Sequence, residues 1–380
     1  MHEHKHNQCR RKVKHRKNVM KLIIFCITVG ISLMFIYYQN LRKEIDARQK
    51  WLETVLTGEK KWILENQGPE GEFYMNGSKA GDVNPYFAYM AALGLLAETK
   101  NCPITETEKK AVGRYLDWHT GILLETDGKM GIYRKKSGKL IYKEKADSED
   151  GYLGMYLFLM GKYLEKTEST DLPEYWKKGI SLALKKIQSL MQDGITQVSE
   201  ENTTVYLMDN LEVWKGLYEL EHAGLKDVQA IREMRNKLQA QIEKLFWDDA
   251  NQRWRIIENS DLYHQKEFYP DGVAQIYPLI YEFPVKEKKK QKILYEQFTE
   301  RFQWQKLTKK RNGFLWAMTG MAAAQMGDIN NLLEMIRNYE AEYCENRKYP
   351  LYTGEAGWIC MECEKLYSLY ERKIKTGFLV

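Results

Sequence analysis

In this 380-residue chain, acidic residues recur at the starts of apolar segments, with aromatic residues beside them. Glu70 and Glu72 lie in GPEGEFY, and Asp147, Glu149 and Asp150 in ADSEDGY. Asp209 lies in YLMDNLEVW, Asp271 in FYPDGVAQIYP and Glu355 in YTGEAGW. Tyr74, Tyr86, Phe87, Tyr152, Tyr206, Trp214, Phe268, Tyr269, Trp316 and Trp358 fall around the same points. An acid at a helix start commonly caps the helix and complements its dipole. Acids grouped with aromatic rings fit a further chemistry. Sugar rings stack their C–H faces on aromatic side chains, while carboxylates bind hydroxyls. Cleaving a glycosidic bond needs two carboxyl groups flanking it. One must be protonated near neutral pH, through burial or a nearby negative charge; the other must be ionised and hold a water.

The segments that would carry these residues are helical by periodicity. Twelve helices are predicted, at about 48–65, 84–99, 105–120, 147–165, 172–192, 203–223, 226–247, 269–283, 286–305, 313–326, 329–346 and 354–372. Even-numbered helices are apolar and rich in small residues, as in NPYFAYMAALGLL and GFLWAMTGMAAAQMG; odd-numbered ones are amphipathic, as in EYWKKGISLALKKIQSL. Helices apolar on most sides are buried, and amphipathic ones face solvent on one side. Connections from even to odd helices are short, whereas 66–83, 121–146 and 248–268 are long. An inner ring, an outer ring and long loops on one face describe an all-α (α/α)6 toroid of six helical hairpins. The stretch KMGIYRKKSGKLIYKE in the second long loop reads as a β-hairpin over the mouth.

Ahead of this domain, residues 22–38 form an uncharged, mostly apolar run of near membrane-spanning length. It ends in Tyr37 and Tyr38 with no small-x-small cleavage site, which predicts a signal anchor rather than a cleaved leader. Basic residues crowd between Lys5 and Lys21 against the single acid Glu3. The positive-inside rule then places the N-terminus in the cytoplasm and the main domain outside. The expected organisation is a basic tail at 1–20, an anchor in the lipid bilayer at 21–38, a linker at 39–47 and the helical domain at 48–380. Much of the net charge of +6 sits in the tail, so the main domain lacks the basic surface that nucleic acid requires. Of the six cysteines, Cys360 and Cys363 form a lone C-x-x-C with too few partners for a zinc site.

The helical series resembles the six-hairpin glycosidase superfamily and, within it, the family-eight glycoside hydrolases. EGEFY is similar to that family's E-G-x-x-Y segment, ADSEDGYLGMYLFL to its A-x-D-A-D segment, and YPDGVAQIYP to its Y-D-A-x-R-x-P segment. The resemblance implies that Asp271 is the base and that Asp147 and Asp150 bind the central sugar. It places the acid at Glu70, whereas Glu72, followed by Phe73 and Tyr74, is the more desolvated and ranks first on physical grounds. Asn84 stands where a strict helix alignment puts the acid, and Gln275 near the family's arginine. Tyr74, Tyr152, Asp209, Tyr269, Trp316 and Trp358 are expected to bind substrate. The expectation is an inverting, endo-acting hydrolase of a cell-surface or extracellular polysaccharide, with no metal or organic cofactor. A single anchor before such a domain also resembles hydrolases encoded with membrane polysaccharide synthases, which would be its partner. Three rivals share the fold. An epimerase would need histidines at the mouth, with only His119, His222 and His264 beyond the membrane run. A lyase could draw on Tyr269 and Arg134. The third is a non-catalytic glycan-binding scaffold.

Overall fold

Helices buried along most of their length must pack against other helices, and the six even-numbered ones pack against one another here. The computed structural model describes residues 2–77, 81–136, 139–169, 172–226, 228–258, 260, 267–307, 311 and 313–375. Twelve α-helices follow in order: α1 His2–Glu65, α2 Pro85–Leu95, α3 Glu106–Glu125, α4 Glu149–Thr167, α5 Glu174–Leu190, α6 Leu207–His222, α7 Gln229–Phe246, α8 Val273–Ile280, α9 Lys288–Phe302, α10 Thr319–Met326, α11 Ile329–Tyr339 and α12 Thr353–Lys375. Two compact units are distinguished: Met1–Trp51 with Arg372–Val380, and Leu52–Glu371.

Within the first unit, α1 is one continuous helix, with no break at the predicted linker 39–47. Its stretch from Ile23 is long and apolar enough to cross a membrane. Ile24, Phe25, Phe35 and Ile36 are exposed along it, a surface that water tolerates poorly.

The second unit is the toroid. The even helices pack in sequence from α2 to α4, α6, α8 and α10. Between α10 and α12, Gly320 lies against Glu362, and between α12 and α2, Gly357 lies against Met90, so the ring closes. The odd helices pair with their even neighbours from outside, as α3 does with α2 and α7 with α6. Glu59, wholly buried near the end of α1, accepts hydrogen bonds from Tyr339 and Arg347 and ties that segment to α11.

Glycine permits the close approach of the inner helices. A Cβ on Gly154 of α4 would lie 2.6 Å from the backbone nitrogen of Val213 in α6, and one on Gly216 would strike the carbonyl of Gly154. Gly94 and Gly357 meet in the same way, where a Cβ on Gly94 would lie 2.5 Å from the Gly357 Cα.

Three predicted inner-helix starts move: the sixth from 203 to Leu207, together with the eighth and the tenth. The eighth begins at Val273 because Tyr269 stays extended (φ −127°, ψ 135°) ahead of Pro270, as the residue before proline prefers. The tenth begins at Thr319, not at 313. The backbone N–H groups of Leu315, Trp316 and Ala317 are engaged by Glu355, and Trp316 takes the left-handed conformation at φ 59°. The predicted hairpin forms from β2 Gly131–Lys136 and β3 Lys139–Lys145, and β1 Asp82–Val83 joins β2 to make three antiparallel strands. The first two long loops therefore meet on one face, where Ile132, Glu144 and Lys145 border the cavity described below.

Replacing Gly216 by alanine should cost about 1–3 kcal/mol, because backbone cannot yield as a side-chain tip can. The same change at Gly121 of α3, with open space around it, should stabilise by up to about 1 kcal/mol through helix propensity. Chemical denaturation of the two variants checks both; equal effects would remove the close-packing argument.

Candidate functional site

The ring leaves a cavity of about 480 Å³ at the end where all six inner helices begin. Each helix start contributes. Asn84, Tyr86, Phe87 and Met90 come from α2, Asp147, Ser148 and Tyr152 from α4, and Met208, Asp209 and Glu212 from α6. Tyr269 and Tyr277 come from around α8, Phe314, Trp316 and Met318 from the segment before α10, and Glu355 and Trp358 from α12. The starts are shaped locally by caps. Asn84 accepts the Tyr86 N–H and Ser148 the Gly151 N–H, and Tyr152 reaches back to donate to Asn84.

Two buried glutamates line the cavity in contrasting environments. Glu212 accepts hydroxyl hydrogen bonds from Tyr86 (2.5 Å), Tyr277 (2.6 Å) and Tyr281 (3.2 Å), all on Oε1. Burial pushes its carboxyl up to about 7, against the pull of those three donors. Glu355 accepts backbone N–H groups instead, Leu315 and Trp316 on Oε1 and Ala317 on Oε2. Burial pushes it too to about 7, opposed by the three amides, which favour the ionised form. Asp209 is driven well above the usual carboxylate range by burial, then by the charges of Asp150 and Glu212.

Aromatic rings complete the walls. Tyr269 lies 4.8 Å from Trp316 between centroids, and Phe87 stacks on Phe314 at 5.5 Å and 13°. Tyr269 is 40% exposed, which leaves a face free for a ligand.

A ring of helix starts enclosing acids and aromatics invites comparison with solved structures. A wild-type glycosidase matches with a TM-score of 0.60 at 12% identity, over 86% of this chain and 98% of that one. A glycosidase variant in complex with glucose matches at 0.56 and 13% identity, over 88% and 98%. An α-amylase from Clostridium perfringens matches at 0.52 and 12%, over 83% and 97%. The chain shares its fold with these proteins. No protein-family model matches the sequence, and no curated protein matches it significantly.

On this shared fold the residues singled out from sequence divide. Asp147, Tyr152, Asp209, Tyr269, Trp316 and Trp358 line the cavity, while Glu70, Glu72, Tyr74, Asp150 and Asp271 are not among its lining residues. Glu72 is buried, but its carboxylate turns into its own loop. It accepts the Glu70 N–H at 3.0 Å and the Tyr74 hydroxyl at 2.7 Å. Glu70 is exposed, and Tyr74 packs with Val83 and Tyr133 beneath the sheet. Asp150 is spent on structure, accepting from Ser148, Thr196 and its neighbour's N–H. Asp271 is buried in the turn before α8, where its carbonyl accepts from Gln275. Sequence reasoning passed over Glu212, which lies one turn inside α6 rather than at its start. Its one local signal was the i, i+3 spacing from Asp209, which puts both on one helix face; its tyrosine partners are distant in sequence.

Among the described residues, the histidines and the arginine that the rival reactions would use stand away from the cavity, whereas Tyr269, the lyase candidate, lines it. His119 is in the core beside Tyr89, held at about 3 by burial. His222 ends α6, and His264 lies outside the described residues. Arg134 pairs with Asp82 on the sheet surface.

Raised carboxyl values carry a stability signature. A folded-state value near 7 against about 4.5 unfolded adds stability that is complete below about pH 4.5 and lost as pH rises through 7. Unfolding free energy should therefore fall by a few kcal/mol between pH 4.5 and 8. Glu212→Gln and Glu355→Gln should each flatten that slope. Denaturant titrations at several pH values check this, and an unchanged slope in both variants would refute the assignment.

Proposed function

We propose that the chain is a glycoside hydrolase that holds a polysaccharide across this cavity and cuts it between Glu212 and Glu355. One observation carries the reading. In the ring order α2, α4, α6, α8, α10, α12, the helices bearing these glutamates stand opposite each other. A glycan lying on the aromatic walls would have one carboxyl on either side. Glu212, raised to about 7 by burial and by the charge of Asp150 against its three hydroxyl donors, is the general acid. Glu355, whose amide partners favour its anion, is the base that activates water. Asp147 and Asp209 bind sugar hydroxyls, and Tyr269, Trp316 and Trp358 form the stacking surface. The fold shared with glycosidases supports the class of reaction. An inverting mechanism expects the two carboxyl groups about 6.5–9.5 Å apart with substrate bound.

The competing assignment takes Asp271 as base from the family-eight resemblance, with Glu72 as acid on the ground of its desolvation and Glu70 as the motif-based alternative. Assay of the full chain on a polysaccharide panel, by reducing-end detection, separates the two. Glu212→Gln and Glu355→Gln should each reduce turnover by about 10²–10⁴-fold, while Asp271→Asn and Glu72→Gln should retain it within an order of magnitude. The reverse pattern would return catalysis to the sequence-based pair.

We also propose that α1 anchors the enzyme through residues 21–38, with the basic tail in the cytoplasm and the toroid outside. Endo-action on an extracellular polysaccharide, beside a membrane synthase, suits that placement. Protease added to intact cells should remove the domain; loss only after permeabilisation would exclude an extracellular substrate.

A further inference from the structure

Three tyrosines converge on one oxygen of Glu212, and the acid role proposed above does not by itself require them. We propose that Tyr86, Tyr277 and Tyr281 are positioning residues that fix the Glu212 proton on Oε2 and set the pH at which it is released. This rests on the hydrolase reading for its catalytic meaning, but the arrangement can be tested without any substrate.

The three hydroxyls donate to Oε1 from 2.5, 2.6 and 3.2 Å, and they come from two helices, α2 and α8. A carboxylic proton on Oε1 would have to displace one of the three hydroxyl protons donated to that oxygen, where the Tyr86 and Tyr277 hydroxyls already lie 3.2 Å from each other. The proton therefore belongs on Oε2. That oxygen is turned toward the start of α4. A Cβ on Gly151 would lie 2.6 Å from it, 2.8 Å from the Ser148 Oγ and 3.7 Å from the Asp209 Cβ. Ser148 and Asp209 both line the cavity, so the proton is held on the side where a glycan would lie. The tyrosines remain donors throughout the working range, because burial raises each far above its usual value.

The groups facing Glu212 act in two directions. Asp150 from α4 and Asp209 on its own helix disfavour its anion, as does burial, while Tyr86, Tyr277 and Tyr281 favour it. Tyr152 and Tyr269 border the same space. Lys145 stands on the hairpin edge of the cavity, and Lys215, further along α6, is engaged by Glu219 and Glu282. Removing one phenol weakens support for the anion. Glu212 should then keep its proton to higher pH.

The test is carboxyl ¹³C NMR of the full chain in detergent, with labelled glutamate and Glu212→Gln to assign the signal. The wild-type midpoint should fall near 7. Tyr277→Phe and Tyr86→Phe should each move it upward by about half a pH unit or more, as loss of one hydrogen bond of about 1 kcal/mol implies. The basic limb of the pH–activity profile should move with it, whereas a packing role alone would lower kcat and leave that limb in place. An unmoved midpoint in both variants would overturn the proposal. A moved midpoint in a protein that cleaves no polysaccharide would support the tyrosine arrangement and reject the hydrolase reading instead.

Discussion

The inner helices can close into a ring only where backbone meets backbone. At the α4–α6 crossing Gly154 and Gly216 face each other, and at the α12–α2 crossing Gly357 and Gly94 do the same. Any side chain at these points would push two helices apart and open the ring. The cavity depends on that closure, because its wall is the sum of six helix starts separated by hundreds of residues in sequence. Close packing of this kind transmits a displacement at one crossing to its neighbours.

The same closure creates the chemistry. Carboxyl groups drawn out of water resist ionisation, so Glu212 and Glu355 become proton-holding groups near neutral pH. What distinguishes them is the donor set. Glu212 meets phenolic hydroxyls from neighbouring helices, and Glu355 meets main-chain amides of a loop that it keeps out of helical form. Glu355 thus shapes the cavity wall: the segment it holds carries Phe314 and Trp316, two of its aromatic lining residues. Burial elsewhere has the opposite outcome. Glu282 is also desolvated, yet Lys215 and Lys365 outweigh that and hold it down to about 2, so it stays ionised as part of the framework.

Much of the architecture was legible in the chain. The apolar, glycine-rich character of alternate helices announced the inner ring. The uneven loop lengths announced one functional face, and the stretch before Ser148 announced a hairpin that forms where expected. Periodicity and turn chemistry are local properties, so sequence carries them. The displaced starts of α8 and α10 were not legible. Pro270 gave a local hint for α8, but the delay of α10 to Thr319 depends on Glu355, about forty residues onward.

The site was half legible for the same reason. Acids and aromatics at helix starts could be read directly, and Asp147, Tyr152, Asp209, Tyr269, Trp316 and Trp358 do reach the cavity. Short motifs could not say which way a carboxylate turns. Glu72 satisfies itself within its own loop, and Asp150 is consumed by the cap of α4 and by Thr196. Sequence by itself determined the helical periodicity, the burial of alternate helices, the apolar run of α1 and the residue types available at the mouth, because each follows from neighbours along the chain. Only the tertiary structure decided which acids are desolvated and by whom they are held. Hydrogen-bond partners and loss of water are set by residues from distant helices, which meet only when the ring closes.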